Sequence, residues 1–556
     1  MPKYIFVSGG VISGLGKGIT SASVALLLKS CGYKVAPIKC ENYLNIDSGT
    51  INPIEHGDPF LCEDGLEADM DIGTYEKFLN QDMSHDNFMT LGQIYKAVID
   101  RERRFEYNGE DVEAIPHVTD EIMQRIDGAI ARQKADVAVI ELGGTVGEYQ
   151  NVLYYETARM LHFRRPGDVI HIHVSYVPNP LHLGEPKTKP AQLSVRTLNS
   201  MGIQPDFLIA RSTKPLDARR IERLSLFCNL DPRDVMSSSD VKSVYEIPLI
   251  LQEQGIVDRI ATKLSLKKKT PDMKIWKKFV DKLQKPLKHP IHIGIVGKYF
   301  STGEYQLKDS YAALFDAIDH AAWDQSADVK IDWIDAQDIE KKGAKACISK
   351  ELDGIIVPIG WGERGAEGMI EAASYARIQK IPYLGLCYGM QLAVVAFARD
   401  ILKLKKANTE ENDAKSPDKV IHIIPTQKEL LQRRAYGGTM RLGSWEGIVR
   451  KGSLADKVYS KHNAYVDPKK RIMSERHRHR YEFNDDYTEA FEKAGMAISA
   501  RSKVEGLAEY IELDQKTHPF YIATQGHPEY KSRPISPHPL FIEFIKACIH
   551  SKSVLQ

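Results

Sequence analysis

The sequence predicts two α/β domains in one chain, each built on a parallel sheet. Three observations predict this. Short β-branched runs alternate with helical patterns along most of the length, as parallel sheets do. A glycine-rich loop over residues 8–18 directly follows the first such run and opens a helical pattern. Far downstream, a second strand-to-helix turn carries Cys387 between Gly385 and Gly389.

At 556 residues the chain is too long for a single hydrophobic core. Strands are expected at 4–8, 137–141, 169–174 and 207–210, then at 292–296, 354–358, 382–386 and 520–524. Between about 262 and 290 the texture changes. Lys267, Lys268, Lys269, Pro271, Pro286 and Pro290 surround an amphipathic stretch around Trp276 and Phe279, which reads as a linker with one helix. Domains are therefore expected at 1–265 and 290–556, joined by 266–289. The charged stretch 405–419 is expected to be a surface loop.

Lys and Arg total 75 against 74 Asp and Glu, and a net charge of +1 argues against a nucleic-acid binder. The seven cysteines contain no C-x-x-C pair and are irregularly spaced, so neither a disulfide framework nor a zinc site is expected. A reducing compartment is the expectation. The apolar part of the first residues is too short for a signal peptide, and no apolar run approaches the roughly 20 residues of a membrane span. A cytoplasmic protein without a membrane partner is expected.

The loop Ser8-Gly9-Gly10-Val11-Ile12-Ser13-Gly14-Leu15-Gly16-Lys17-Gly18 leads into a helical pattern over 19–30 that stops at Gly32. Strand, glycine loop and helix together aim backbone N–H groups at phosphates, and Lys17 adds a charge for the outer ones. Gly18 stands where a strict phosphate loop has the Ser or Thr that reaches magnesium. Carboxylates must then come from elsewhere. The acidic cluster 63–71 offers several, and Glu141 is the stronger candidate, because a carboxylate ending a buried strand needs a partner.

These residues, with Lys39, Gly49-Thr50, His56-Gly57, Glu63-Asp64-Gly65 and Glu141-Leu142-Gly143-Gly144-Thr145-Val146-Gly147, resemble the amidoligase domain of the CTP synthase family. Lys187-Thr188-Lys189-Pro190 and Leu226-Phe227-Cys228-Asn229 extend the likeness, in order, over nearly the whole chain. The resemblance implies ATP at Gly14, Leu15, Gly16, Lys17, Gly18, Ile19, Lys39 and Asp71, with Mg2+ on Asp71 and Glu141. It implies UTP, and CTP as feedback inhibitor, at Ser13, Glu148, Tyr149, Gln150, Lys187, Thr188, Lys189, Pro190, Ala191, Gln192 and Arg223. Uracil O4 is a poor leaving group, so ATP would phosphorylate it and ammonia would then displace phosphate, with cations on the spreading charge. The family usually has Lys-Leu-Asp-Pro-Tyr where Lys39-Cys40-Glu41-Asn42-Tyr43 stands. It usually has Asp, Glu and Lys at the positions of Glu148, Gln150 and Arg223, so the details of CTP feedback are expected to differ here.

In the second half, Pro382-Tyr383-Leu384-Gly385-Leu386-Cys387-Tyr388-Gly389-Met390-Gln391 has the Gly-x-Cys-x-Gly spacing of a nucleophile elbow. A helix N-terminus favours the thiolate. His527-Pro528-Glu529 supplies a base and its orienting carboxylate, placed on one side if the strand continues through them. Together they resemble the Cys-His-Glu triad of class I glutamine amidotransferases. The resemblance implies glutamine at Gly360, Tyr388, Gly389, Met390, Gln391, Glu411 and Arg480. Arg476-His477-Arg478-His479-Arg480, if a strand, sends arginines and histidines to opposite sides; a metal or nucleic-acid site there lacks carboxylates, cysteines and interleaved aromatics. The family's oxyanion loop, usually Pro-Gly-Gly-Phe-Gly, here reads Pro358-Ile359-Gly360-Trp361-Gly362. A β-branched Ile359 resists positive φ, and Gly526 replaces the usual Phe before His527, so an altered loop and a looser base are expected.

The implied fold is a P-loop-like amidoligase domain followed by a class I glutamine amidotransferase domain. Further implications are GTP as allosteric activator, internal passage of ammonia and a homotetramer. Two rival readings stand beside this one. Another amidoligase of the cobyric acid synthase type is disfavoured by the 187–192 and 141–147 motifs, and a non-catalytic nucleotide switch or filament scaffold leaves Cys387, His527 and Glu529 without a purpose.

Overall fold

The structure, a computed structural model, describes residues 1–51, 57–180, 182, 184–298, 301–302, 305–306, 311–433 and 437–555. His56 of the His56-Gly57 motif lies outside the described residues. The chain forms two compact units, Met1–Ile46 with Asp71–Leu283, and Asp47–Met70 with Gln284–Gln556. Among the described residues no helix is long and apolar enough to cross a membrane.

In the first unit, β1 (Lys3–Gly10) runs through the glycine loop into α1 (Lys17–Ser30). Beyond it lie β2 (Val35–Glu41), α2 (Asp71–Leu79), β3 (Phe88–Thr90), β4 (Val137–Leu142) and β5 (Val169–Tyr176). Next come α3 (Lys189–Ser200), β6 (Phe207–Ser212), α4 (Ala218–Cys228) and β7 (Val235–Ser239). The seven strands lie in the order β3-β2-β4-β1-β5-β6-β7, every pair parallel. Strands buried on both faces read as continuous apolar runs, which is why this sheet shows in the sequence. Register brings the charged strand ends together. Lys39 pairs with Glu141, and Glu141 with Val7, so three strands present these residues at one level. The stretch expected as a linker carries α5 (Lys274–Leu283), whose Trp276 donates to the Tyr245 carbonyl at 2.9 Å and packs near Phe78.

The second unit contains β8 (His289–Gly297), α6 (Ala312–Gln325), β9 (Ala327–Asp335), α7 (Ala336–Lys342), β10 (Gly354–Val357), α8 (Ala366–Gln379), β11 (Tyr383–Leu386) and α9 (Tyr388–Asp400). It continues with β12 (Arg441–Val449), β13 (Ile472–His479), β14 (Met496–Ser502), β15 (Ala508–Leu513) and β16 (Tyr521–Thr524). The sheet order is β9-β8-β10-β11-β16-β15-β14-β12-β13. Its first five strands are mutually parallel and the rest antiparallel, so this sheet is mixed and not parallel throughout as expected. The strands of the antiparallel half carry buried charges that hide them from an apolar pattern. On β13 the alternation holds. Arg476 and Arg478 face Glu63, Asp58 and Glu67 of the segment 47–70, while His477 and His479 face Arg441.

Candidate active sites

The first site grows from the carboxyl ends of β1, β2 and β4. Gly14 and Gly16 take φ of +71° and +86°, and Gly16 caps α1. The first turn of α1 has neither a side-chain cap nor an acidic residue, which leaves its N–H end suited to an anion. Lys17 lies across Gly9, where an added Cβ would come within 2.6 Å of its Cδ, and its Nζ donates to the Gly144 carbonyl. Burial lowers the Lys17 pKa, partly opposed by Glu141. Buried Lys39 donates to Asp71 and, at 2.8 Å, to Glu141, with Glu41 at 3.3 Å; Tyr75 donates to the other Glu141 oxygen at 2.6 Å. Lys39 holds the Asp71 carboxyl below its usual range, against desolvation.

Asp71 and Glu141 fit a divalent cation. A Cβ built on Gly18 would lie 3.6 Å from a Glu141 oxygen and 3.7 Å from an Asp71 oxygen. Two carboxylates therefore face the place where a phosphate loop's hydroxyl would stand, which suits a hard cation that prefers oxygen ligands.

Of the residues expected to bind the pyrimidine nucleotide, Ser13, Tyr149, Gln150, Lys189 and Arg223 are exposed. Lys189 and Arg223 converge on the Phe227 ring, 5.7 and 5.8 Å from its centroid. Thr188 and Gln192 are joined by a 3.0 Å hydrogen bond, Lys187 pairs with Glu185, and Ala191 is buried. Glu148 turns back on its own loop. It accepts from the Thr145 N–H at 2.7 Å and hydroxyl at 2.6 Å, and from Asn42 at 3.3 Å. Leu15 is buried, with Ile19 half-buried in α1.

The second site centres on Cys387, held at φ +51°, ψ −101° between β11 and α9. No L-residue adopts this freely, and the strain places the sulfur outside the strand. The flanking glycines are required. A Cβ on Gly385 would meet Ala523 at 2.8 Å, and one on Gly389 would sit 1.9 Å from the Val357 carbonyl oxygen. Leu386 pairs with Thr524, so the residue after each faces the other, and Gln525 Nε2 reaches the Cys387 sulfur at 3.4 Å. His527 is fully buried, with Nδ1 2.7 Å from Glu529 and its ring stacked on Tyr530. Its Nε2 is buried without a full hydrogen bond and interacts with Cys387. Burial alone would lower the His527 pKa; Glu529 and Cys387 override it and raise it to about 10.

Two expectations change here. The strand ends at Thr524, and residues 528–531 form a short 3-10 turn, so this turn and not strand alternation brings His527 and Glu529 together. Pro528 at its first position fixes the entry. Gly526 is packed, not loose: its N–H donates to Thr524 Oγ1 at 3.0 Å, and a Cβ would lie 3.0 Å from that of Glu475. Ile359 does not adopt positive φ; it is buried, its carbonyl accepts from Tyr311 at 3.2 Å, and the positive φ falls on Gly362.

A cavity of about 440 Å3 brings Glu411 and Arg480 together with Trp361, Arg478 and Tyr481. The stretch 405–419 is therefore not merely a surface loop. Glu411 accepts the Gly362 N–H at 2.7 Å, and burial raises its pKa. Arg480 donates to Gln427 and Thr439, and Gln391 to Tyr481 and Gln525. Gly360 and Tyr388 touch, a Cβ on the former lying 3.1 Å from the ring of the latter. Gly389 and Met390 are buried in the packing between α9 and the sheet, so only their backbone can face a ligand. Sequence reasoning does not single out Tyr75, Gln525 or Lys298; for Lys298, a signal was its place just after a buried strand at the carboxyl edge of the sheet.

Residues 3–266 match the family model described as CTP synthase N-terminus, and 306–547 that of glutamine amidotransferase class-I. A protein named CTP synthase from Pyrococcus abyssi is 46% identical over 549 residues, covering 98% of each chain. The chain belongs to the CTP synthase family. A second family member, from Caldanaerobacter subterraneus subsp. tengcongensis, is 43% identical over 99% of each chain. The glutaminase domain of Trypanosoma brucei CTPS with bound acivicin aligns at 32% identity and a TM-score of 0.40, covering 46% of this chain and 93% of that one. Membership in the family accounts for a synthase region and a glutamine amidotransferase region in one polypeptide.

Proposed function

We propose that this chain converts UTP to CTP with ATP, using ammonia released from glutamine at Cys387. One observation carries the reading: a strained cysteine with a His527–Glu529 pair at 2.7 Å shares a chain with a phosphate loop facing Lys39, Asp71 and Glu141. Cys387 Sγ attacks the glutamine amide carbon, His527 gives a proton to the departing ammonia, and water then cleaves the thioester to glutamate. At the other site uracil O4 takes the γ-phosphoryl group of ATP, releasing ADP, and ammonia at C4 expels phosphate. Lys17, Lys39 and the α1 N-terminus bind the ATP phosphates. Asp71 and Glu141 would hold Mg2+, which when bound neutralises phosphate charge. Lys39, tied to both carboxylates, keeps them aligned.

The remaining assignments belong to the same reading. Along the chain 1–265 is the synthase region, 266–289 a linker and 290–556 the glutaminase region, although 47–70 packs within the second unit and the chain up to 283 within the first. Ser13, Glu148, Tyr149, Gln150, 187–192 and Arg223 take UTP, and CTP as inhibitor, while Gly360, Tyr388, Gly389, Met390, Gln391, Glu411 and Arg480 surround glutamine. GTP as activator enters with the family resemblance. A homotetramer enters with the family resemblance in the same way. Seven free cysteines suit a reducing cytoplasm.

Purified protein with ATP, Mg2+, UTP and glutamine should show the absorbance change of UTP becoming CTP, and absence of change with both glutamine and ammonium overturns the proposal. Cys387→Ala should abolish synthesis from glutamine and leave synthesis from ammonium.

A further inference from the structure

Lys298 lies just beyond β8 and belongs to neither the triad nor the expected glutamine set, yet it is 4% exposed. Its Nζ donates to the Gly362 carbonyl at 2.6 Å and the Arg364 carbonyl at 2.9 Å, and lies 4.6 Å from the Tyr388 ring centroid. The same loop is gripped elsewhere. Tyr388 donates to the Gly362 carbonyl at 2.9 Å, Glu411 accepts the Gly362 N–H at 2.7 Å, and Arg364 donates to the Lys298 carbonyl at 2.8 Å. The Lys298 N–H reaches the Tyr311 hydroxyl at 3.4 Å, and that hydroxyl donates to the Ile359 carbonyl at 3.2 Å. A Cβ on Gly360 would fall 2.6 Å from Lys298 Cε, so glycine is needed for the lysine to pass beneath the loop.

We propose that Lys298 is a positioning residue for glutamine hydrolysis, its ammonium and backbone pinning the 359–364 loop so that its N–H groups face the oxyanion formed at Cys387. The inference rests on the reading of Cys387 as nucleophile. A peptide's C=O and N–H point in opposite directions, so fixing the carbonyls of Ile359, Gly362 and Arg364 fixes where the N–H groups of Gly360, Glu363 and Gly365 point. Donors fixed before reaction stabilise a developing oxyanion without reorganisation. A methionine would fill the same space, but it would not hold two carbonyls. Keeping a charge buried on neutral carbonyls and an aromatic face is costly, and such cost is typical of a working site. Burial lowers the Lys298 pKa to about 8, partly offset by Glu411, so the ammonium persists at neutral pH.

Lys298→Met in the full-length protein should lower the glutamine-dependent kcat at least about tenfold. KM for glutamine and the ammonium-dependent rate should stay within about twofold. Iodoacetamide should alkylate Cys387 at the wild-type rate, showing an intact elbow. Tyr311→Phe, which frees the Ile359 carbonyl alone, should give a smaller loss of the same kind. An unchanged glutamine kcat overturns the proposal; so does a rise in KM alone, or an equal loss of ammonium-dependent synthesis. A wild-type protein that makes CTP only from ammonium would instead overturn the reading of Cys387 as nucleophile.

Discussion

Glu529 sets the charge of the buried imidazole at the second site. Burial disfavours imidazolium at His527, yet Glu529 and Cys387 raise its pKa to about 10. Glu529→Gln keeps an acceptor on Nδ1 but removes the charge, so glutamine-dependent kcat should fall about a hundredfold with ammonium-dependent synthesis unchanged. The same pair contributes to stability, and the sign comes from linkage. Because the folded pKa lies above the unfolded value of about 6.5, the contribution is complete below that pH and is lost as pH rises through about 10. Calorimetry across this window should show a shallower alkaline loss of Tm in Glu529→Gln than in wild type. Glu529 and His527 were readable as a pair from their spacing, whereas the turn that joins them was not, since a 3-10 turn of four residues leaves no periodicity.

At the scale of elements, close approach decides where glycine must stand. α9 crosses β10 so tightly that a Cβ on Gly389 would lie 1.9 Å from the Val357 carbonyl oxygen. Gly389→Ala should therefore push α9 off the sheet, at a cost of about 2 kcal/mol or more, and displace Cys387 with it. Chemical denaturation measures the first effect, and loss of glutamine-dependent synthesis the second. Between β1 and β5, Ser8 bridges His171 at 2.6 Å and His173 at 2.8 Å, and His173 reaches Ser194 at 2.6 Å. Burial lowers both histidine pKa values to about 3. Here the sign reverses: the unfolded chain binds protons that the folded one refuses, so stability falls as pH drops from about 6.5 toward 3. His171→Phe, which keeps the stack on Phe6, should reduce the fall in Tm between pH 7 and 5.

For the whole molecule, the proposed function divides the activity between two sites, which variants separate. Cys387→Ala should remove one nitrogen source, whereas Lys17→Met should remove synthesis from both glutamine and ammonium, by at least about a hundredfold, because in the proposed reaction phosphoryl transfer precedes amination from either. Side-by-side rates with the two nitrogen donors check this pattern.

By itself the sequence determined the two α/β architectures, the glycine loop into α1, the elbow at Cys387 and the His527–Glu529 pair. These rest on local patterns: apolar runs of strand length, glycines at fixed spacing, and neighbours two residues apart. Tertiary structure alone decided the rest. Lys39 meets Glu141 only because β2 and β4 align in register, and the two carboxylates face Gly18 only once α1 and α2 are packed. The antiparallel half of the second sheet hid behind its charged residues, and Lys298 behind a strand end with no motif. The physical reason is common to all of them. A buried charge is paired by whichever groups the fold brings within about 3 Å, and sequence separation carries no record of that distance.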